Sequence, residues 1–283
     1  MTTVADAQTP LSLVRRRAEL VRRVATVESV TTLAGTAEAP RYVRLVLRGA
    51  ELEGFTSAGA DDHLRFFAPG ADGVLVLPEI GPDGPVQPAP GQPRPVSREY
   101  TPVAWGGTGE DATLTLELVV HAGGHASDWV VGAQPGDTVA VGGPRGSMLI
   151  EGTPAWYLLA GDLTALPAIR RHLAATAGAP TTVLVLVAGE EEAAMVSDEL
   201  VLPAGASLRV LVDADVATGS TAALAEAVTS WTPPGDPAAG FAFVAAEQSI
   251  VAPAKARFSV LGVTTHVAKG YWRLGDDEHH AAH

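Results

Sequence analysis

Between Val24 and about Ile150 the chain runs in short alternating segments cut by Gly, Pro and Asp. Beyond residue 150 it changes to continuous apolar runs separated by helical stretches. In the first half, RYVRLVLRG (41–49), HLRFFAP (63–69), ATLTLELVVH (112–121) and DTVAVGGP (137–144) read as strands, several with the period of two that buries one face. Closely spaced strands with turn residues between them predict a small antiparallel barrel. The stretch LPEIGPDGPVQPAPGQPRPVS (77–97) is too rich in proline for a central strand or a helix and reads as a connection. In the second half, AWYLLAG (155–161), TTVLVLVAG (181–189), SLRVLVDAD (207–215), GFAFVAAE (240–247) and THVAKGYWRLG (265–275) read as buried strands. Between them, ALPAIRRHLAATAG (165–178), TAALAEAVTSW (221–231) and QSIVAPAKARFSVLG (248–262) read as helices, with Pro167 in a first turn where its missing N–H costs nothing. Strands alternating with helices predict a mostly parallel sheet. The expected organisation is a barrel over 1–150, with a disordered or helical extension to about residue 22, and an α/β domain over 151–283 with a polar tail, DDEHHAAH.

Composition narrows the partners. The 283 residues, 47% of them hydrophobic, suffice for two cores. A net charge of −13, with Lys255 and Lys269 as the two lysines, argues against nucleic acid and anionic membranes as general partners. The absence of cysteine excludes disulfides, thiolate catalysis and cysteine-held clusters. MTTVADAQTP lacks the order of a signal peptide, and no apolar run is long enough to span a bilayer, so the expected location is the cytoplasm.

Three short stretches carry candidate chemistry. In SREYTPVAW (97–105), Arg98 and Tyr100 share a strand face and Thr101 points the other way. A guanidinium grips a phosphate bidentately and a phenol ring stacks on a flat heterocycle; an ordinary half-exposed strand has the same residue types. HAGGHASDW (121–129) ends a strand with Gly123 and Gly124 and opens a helical turn whose free amides form an anion cradle, or simply a tight turn. GDLTAL (161–166) lies at the C-terminal end of the first parallel strand, where open α/β sheets bind ligands, but lacks the GxGxxG fingerprint. His121 and His125 stand four apart, yet glycines intervene and no carboxylate completes a metal motif, so no metal site is expected.

The order R-x-Y-T, H-x-x-G-x-A-S-x-W, G-P-R-G-S (143–147), G-D-x-T-A-L-P-A-I (161–169) and G-Y-W-R-x-G (270–275) resembles the siderophore-interacting protein family, the FAD-dependent ferric-siderophore reductases of the ferredoxin-reductase-like superfamily. The resemblance runs through nearly the whole chain. It implies an N-terminal Greek-key flavin-binding barrel followed by an α/β domain of nicotinamide-binding type. It implies that Arg98 holds the FAD pyrophosphate, with Tyr100 and Thr101 against the isoalloxazine ring. His121, Gly124, His125, Ala126 and Ser127 belong to the phosphate-binding loop, which Trp129 supports from within. Asp162, Thr164 and Ala165 would line the cleft between domains, and Trp272 and Arg273 would pack near the flavin or its adenine. The chain departs from the family at Val103, where a second arginine is usual, and at Leu163, where a glutamate is usual. Lys255, Arg257 and Lys269 are the C-terminal cations available to an anionic ferric siderophore.

The implied activity is an oxidoreductase in which NAD(P)H, or a ferredoxin, supplies electrons through FAD to a ferric siderophore, releasing iron. The cofactor carries that chemistry, so no side chain is assigned as catalytic. Two alternatives stand beside it: the departures at Val103 and Leu163 point to a flavin-containing enzyme of the same fold turned to tailoring a hydrophobic metabolite, and the residue types also allow a binding protein without turnover.

Overall fold

The computed structural model describes residues 10–81, 84–86 and 88–275; the tail DDEHHAAH lies outside the described residues. The first half contains β1 (Ser12–Arg17), β2 (Arg22–Gly35), β3 (Pro40–Arg48), β4 (Leu64–Phe67) and the two-residue β5 (Ile80–Gly81) and β6 (Gly84–Pro85). It continues through β7 (Arg98–Tyr100), β8 (Pro102–Gly106), β9 (Thr113–Val119), helix α1 (His125–Gly132), β10 (Thr138–Gly142) and β11 (Gly146–Glu151). Seven of these strands form one antiparallel sheet in the order β7-β4-β10-β2-β3-β9-β8. The two outermost strands, β7 and β8, are consecutive in the chain and separated only by Thr101. The sheet therefore curls on itself and the covalent chain bridges its edges at that residue, which makes it barrel-like. The alternating residues Leu45, Leu47, Leu64, Phe66, Leu114, Leu116 and Leu118 fill the interior; each such burial contributes about 1.5–3 kcal/mol.

Residues 12–17, expected to be disordered or helical, are a strand: β1 pairs antiparallel with β11, Ser12 opposite Glu151 through Arg17 opposite Gly146. Leu13 packs on the core beneath. A six-residue segment with three consecutive arginines has no strand signature of its own; the pairing partner lies 134 residues on and supplies the order.

The second half contains β12 (Tyr157–Asp162), α2 (Leu166–Ala174), β13 (Thr181–Val187), α3 (Glu190–Glu199) and β14 (Ala206–Val212). It ends with α4 (Ala222–Ser230), β15 (Phe241–Glu247), α5 (Val251–Leu261) and β16 (Thr265–Trp272). Its five strands are all parallel, in the order β14-β13-β12-β15-β16. Leu159, Val183, Val185 and Phe243 face one apolar layer; Leu158, Leu184, Leu186 and Val244 face the other, against α4 and α5. Burial on both faces explains why these strands read as unbroken apolar runs. Helix α3 is absent from the sequence reading: Met195 and Val196 are its large buried apolar side chains, too few for a periodic stripe. Its three leading glutamates suit the positive end of a helix.

The two halves are joined by charge. Glu117, its side chain fully buried on β9, accepts from Tyr42 Oη (2.8 Å), from Arg44 (2.6 Å) and from Arg170 Nη1 of α2 (3.0 Å); Arg44 also pairs with Glu199 of α3. Arg41 binds Glu191 (2.6 Å) and Glu192 (3.1 Å). Across the molecule Lys269 of β16 pairs with the buried Asp61 at 2.7 Å. Among the described residues no helix is long and apolar enough to cross a membrane.

Candidate functional site

Arg98 and Tyr100 lie opposite Phe66 and Leu64 in the β7–β4 pairing, so all four share a face. The Tyr100 ring meets Phe66 edge-on at 6.0 Å, and Trp129 of α1 meets the same phenylalanine at 5.6 Å. Burial holds the Tyr100 phenol well above its usual pKa despite the neighbouring Arg98, so it stays a hydrogen-bond donor. Arg98 Nη1 donates to the carbonyl of Ser97 (3.0 Å), and the guanidinium has no carboxylate partner among the described residues. Thr101, buried at the barrel seam, is the corner between β7 and β8.

Helix α1 brings its N-terminus to the same place. His125 Nε2 lies 3.1 Å from the carbonyl of Ala68, just past the end of β4. The first helical bond runs from Asp128 N to Gly124 O (2.7 Å), so the amides of His125, Ala126 and Ser127 precede the ladder, and no side chain caps them. Gly123 has a left-handed φ of +79° with open space where a side chain would be. A side chain at Gly124 would strike the His121 ring at 2.5 Å. The Ser127 hydroxyl is used internally, accepting from His121 N (3.2 Å) and donating to Val119 O (3.4 Å). Uncapped amides and an unneutralised guanidinium, beside a half-buried phenol, fit an extended ligand with an anionic middle and a flat ring at one end.

The parallel sheet presents its C-terminal edge through Asp162. That carboxylate accepts from Thr164 N (2.9 Å) and from Trp272 Nε1 (2.8 Å), tying the end of β12 to the end of β16. Burial pushes its carboxyl pKa up against these donors. A side chain on Gly161 would reach the Ala165 methyl at 2.5 Å, which fixes that motif position as glycine. Leu163, where the family pattern expects glutamate, is buried in the core. Val103, where it expects arginine, is half-buried on β8; the neighbouring Pro102 carbonyl lies 3.5 Å from Arg171 Nη1, whose guanidinium stacks on Trp105 at 5.0 Å.

The C-terminal cations are not gathered. Lys269 is held by Asp61; Arg257 donates twice to the carbonyl of Trp231 (3.2 and 2.7 Å); Lys255 is exposed on α5. Arg273 lies just beyond β16, in the field of Glu247. Arginines gather instead on the barrel, where Arg22, Arg65 and Arg94 line a cavity of about 180 Å³ floored by Leu20 and Phe67 and reaching Ser97. The sequence reading passed over them because they come from three distant segments.

It also passed over Asp62, whose Oδ2 gathers Ser57 Oγ (3.0 Å), Gly59 N (2.9 Å) and Ser147 Oγ (2.7 Å), the last from the GPRGS motif. His172 on α2 was missed too: it stacks on Phe243 at 4.9 Å, and burial lowers its pKa to about 4. A lone histidine in a helical run carries no signal of where it points.

Residues 27–148 match the family described as Siderophore-interacting FAD-binding domain, and residues 154–275 match Siderophore-interacting protein. An NADPH-dependent ferric-chelate reductase of Escherichia coli (strain K12) is 42% identical over 132 residues, 47% of this chain and 50% of that protein. The ferric vibriobactin reductase ViuB of Vibrio cholerae is 36% identical over 131 residues, 45% of this chain and 46% of that protein. These matches span about half the length of each relative. The solved structure of a siderophore utilization protein from T. fusca superposes with a TM-score of 0.81 at 28% identity, covering 94% of this chain and 97% of that one.

Proposed function

Because the chain belongs to the siderophore-interacting protein family, we propose that it is an FAD-dependent reductase that takes electrons from NAD(P)H and delivers them to a ferric siderophore. The observation that carries this reading is the convergence, at the barrel seam, of an unneutralised Arg98 and the uncapped amides of α1. When bound, FAD supplies hydride acceptance and one-electron delivery; the chain's own residues supply the rest. Arg98 and the amides of His125 and Ala126 would hold the pyrophosphate, and the Tyr100 ring would cover the flat end of the ligand. Phe66 and Trp129 keep Tyr100 in place. Asp162 orients Trp272 at the mouth of the parallel sheet. Ferric iron enters as substrate; the hard oxygen ligands of a siderophore bind the ferrous ion far more weakly, so one-electron reduction is sufficient for release.

Supporting the assignment of donor and acceptor are the names of the relatives, one an NADPH-dependent ferric-chelate reductase and one a ferric vibriobactin reductase. Nothing in the comparisons favours metabolite tailoring, binding without turnover, or a ferredoxin as donor. The test uses purified protein loaded with FAD, with a ferrous-specific chromophoric chelator reporting reduction of a ferric catecholate. Turnover that requires both FAD and a reduced nicotinamide is expected. A flavin-loaded protein that reduces no ferric chelate with any nicotinamide would overturn the proposal.

A further inference from the structure

We infer that the nicotinamide site of this chain selects NADH over NADPH, with Asp213 as the selecting residue and Asp215 reinforcing it; this rests on the reading that a nicotinamide is the electron donor. In the order β14-β13-β12-β15-β16 the strand sequence reverses at β12, so the crevice for a dinucleotide opens at the C-terminal ends of β12 and β15. Its nicotinamide end must lie toward the barrel seam to reach a flavin. On the β15–β16 side, the strand ends are covered by Trp272, bonded to Asp162; Leu274, whose amide donates to Glu247 (3.4 Å), reaches on to pack against Gly219 of the loop after β14. The adenosine end therefore extends the other way, over β13 toward β14. Two strand spacings, about 9–10 Å, separate β12 from β14, within reach of an extended dinucleotide.

The ribose 2′ position would then meet a rim whose own loops, among the described residues, supply carboxylates and neither lysine nor arginine. The loops after β13 (188–192) and after β14 (213–221) contain Glu190, Glu191, Glu192, Asp213 and Asp215 and neither lysine nor arginine. Glu191 and Glu192 are engaged by Arg41 from the barrel, which neutralises that guanidinium. Arg209 sits four residues before Asp213, about 13 Å away along the strand, in a groove shared with Glu226 of α4.

Asp213 is held in place. Its amide donates to the carbonyl of Val187 at the end of β13 (2.9 Å), fixing it against the neighbouring strand. One carboxylate oxygen accepts from Asp215 N (3.0 Å) and the other from Ser220 Oγ (3.1 Å). The loop is closed further by Ser220 N to Asp215 O (3.1 Å) and Thr218 Oγ1 to Asp215 O (2.8 Å). The carboxylate cannot swing away from an arriving phosphate, and its remaining lone pairs suit the hydroxyl of an unphosphorylated ribose, which donates to them. A 2′-phosphate brings up to two further negative charges against it with nothing to compensate them.

Stopped-flow reduction of the FAD-loaded protein by each nicotinamide, with calorimetric titration of ADP and of 2′,5′-ADP as a readout independent of turnover, tests this. NADH is expected to exceed NADPH in kcat/KM on the order of a hundredfold, and ADP to bind more tightly than 2′,5′-ADP. Asp213→Asn keeps the oxygen that accepts from Asp215 N and should cut the preference about tenfold. Asp215→Arg leaves the backbone bonds of the loop intact and should raise NADPH use and 2′,5′-ADP affinity. Equal use of the two nicotinamides, or tighter binding of 2′,5′-ADP by the unmodified chain, would overturn the selectivity while leaving the nicotinamide reading intact. Failure of both nicotinamides to reduce the flavin, with neither nucleotide bound, would overturn both.

Discussion

The molecule treats its buried and half-buried arginines in two opposite ways. At the seam between barrel and sheet, Arg44 and Arg170 are both paired with Glu117 and Glu199, and Glu117 has no exposed side-chain surface. At the barrel corner, Arg98 donates to the backbone carbonyl of Ser97 and has no carboxylate partner among the described residues. The first arrangement spends its charge on holding two halves together; the second keeps it available. A cation that the fold neither neutralises nor needs is where a ligand's charge is expected, and this separates Arg98 from arginines that look equally prominent in the sequence.

That contrast can be broken by substitution. Removing the carboxylate in Glu117→Ala leaves Arg44 and Arg170 with Glu199 alone and the buried Tyr42 hydroxyl without its acceptor, and should cost about 3–5 kcal/mol of unfolding free energy, read from the urea midpoint, with FAD affinity in the folded protein little changed. The buried His172 tests the seam by pH. Burial lowers its pKa from 6.5 to about 4, so the unfolded chain takes up its proton first. Stability from this group is complete above pH 6.5 and falls as pH drops toward 4, by about 3 kcal/mol; His172→Leu should flatten denaturation curves across that window. Arg98→Ala should weaken FAD binding about ten- to a hundredfold, the worth of a hydrogen bond to a charged group, while the apoprotein unfolds within about 0.5 kcal/mol of the original. A large loss of apoprotein stability in that variant would erase the distinction between the two kinds of arginine. Smallest of all, Lys255→Ala on the exposed face of α5 should leave the KM for a ferric catecholate unchanged, since nothing gathers other cations around it.

Much of the architecture was legible in the alternation of the first half and the apolar runs of the second, because burial on one face or two writes itself directly into residue order. What escaped was set by distant partners. The strand Ser12–Arg17 exists because β11 offers it an edge, and α3 packs Met195 and Val196 on the core while its glutamates meet Arg41. The motif stretches around Arg98, Gly124 and Asp162 were legible individually, but their surroundings were not. Ser127 looked like a ligand donor and is occupied by its own backbone. Lys269 looked like a free cation, and Asp61, 208 residues away, holds it. Spacing along the chain shows which groups are present; only the packing shows which are already spoken for.

The single-residue corner at Thr101 couples strand pairing at one edge of the barrel to strand pairing at the other. The strand proposed to grip the ligand and the strand that completes the ring are joined through this one residue, so a half-formed barrel would present no finished seat for FAD. Whatever free energy the coenzyme contributes on arrival is therefore felt as a tightening of the entire ring, and an apoprotein that frays at that junction would lose its coenzyme seat and its fastening in one motion.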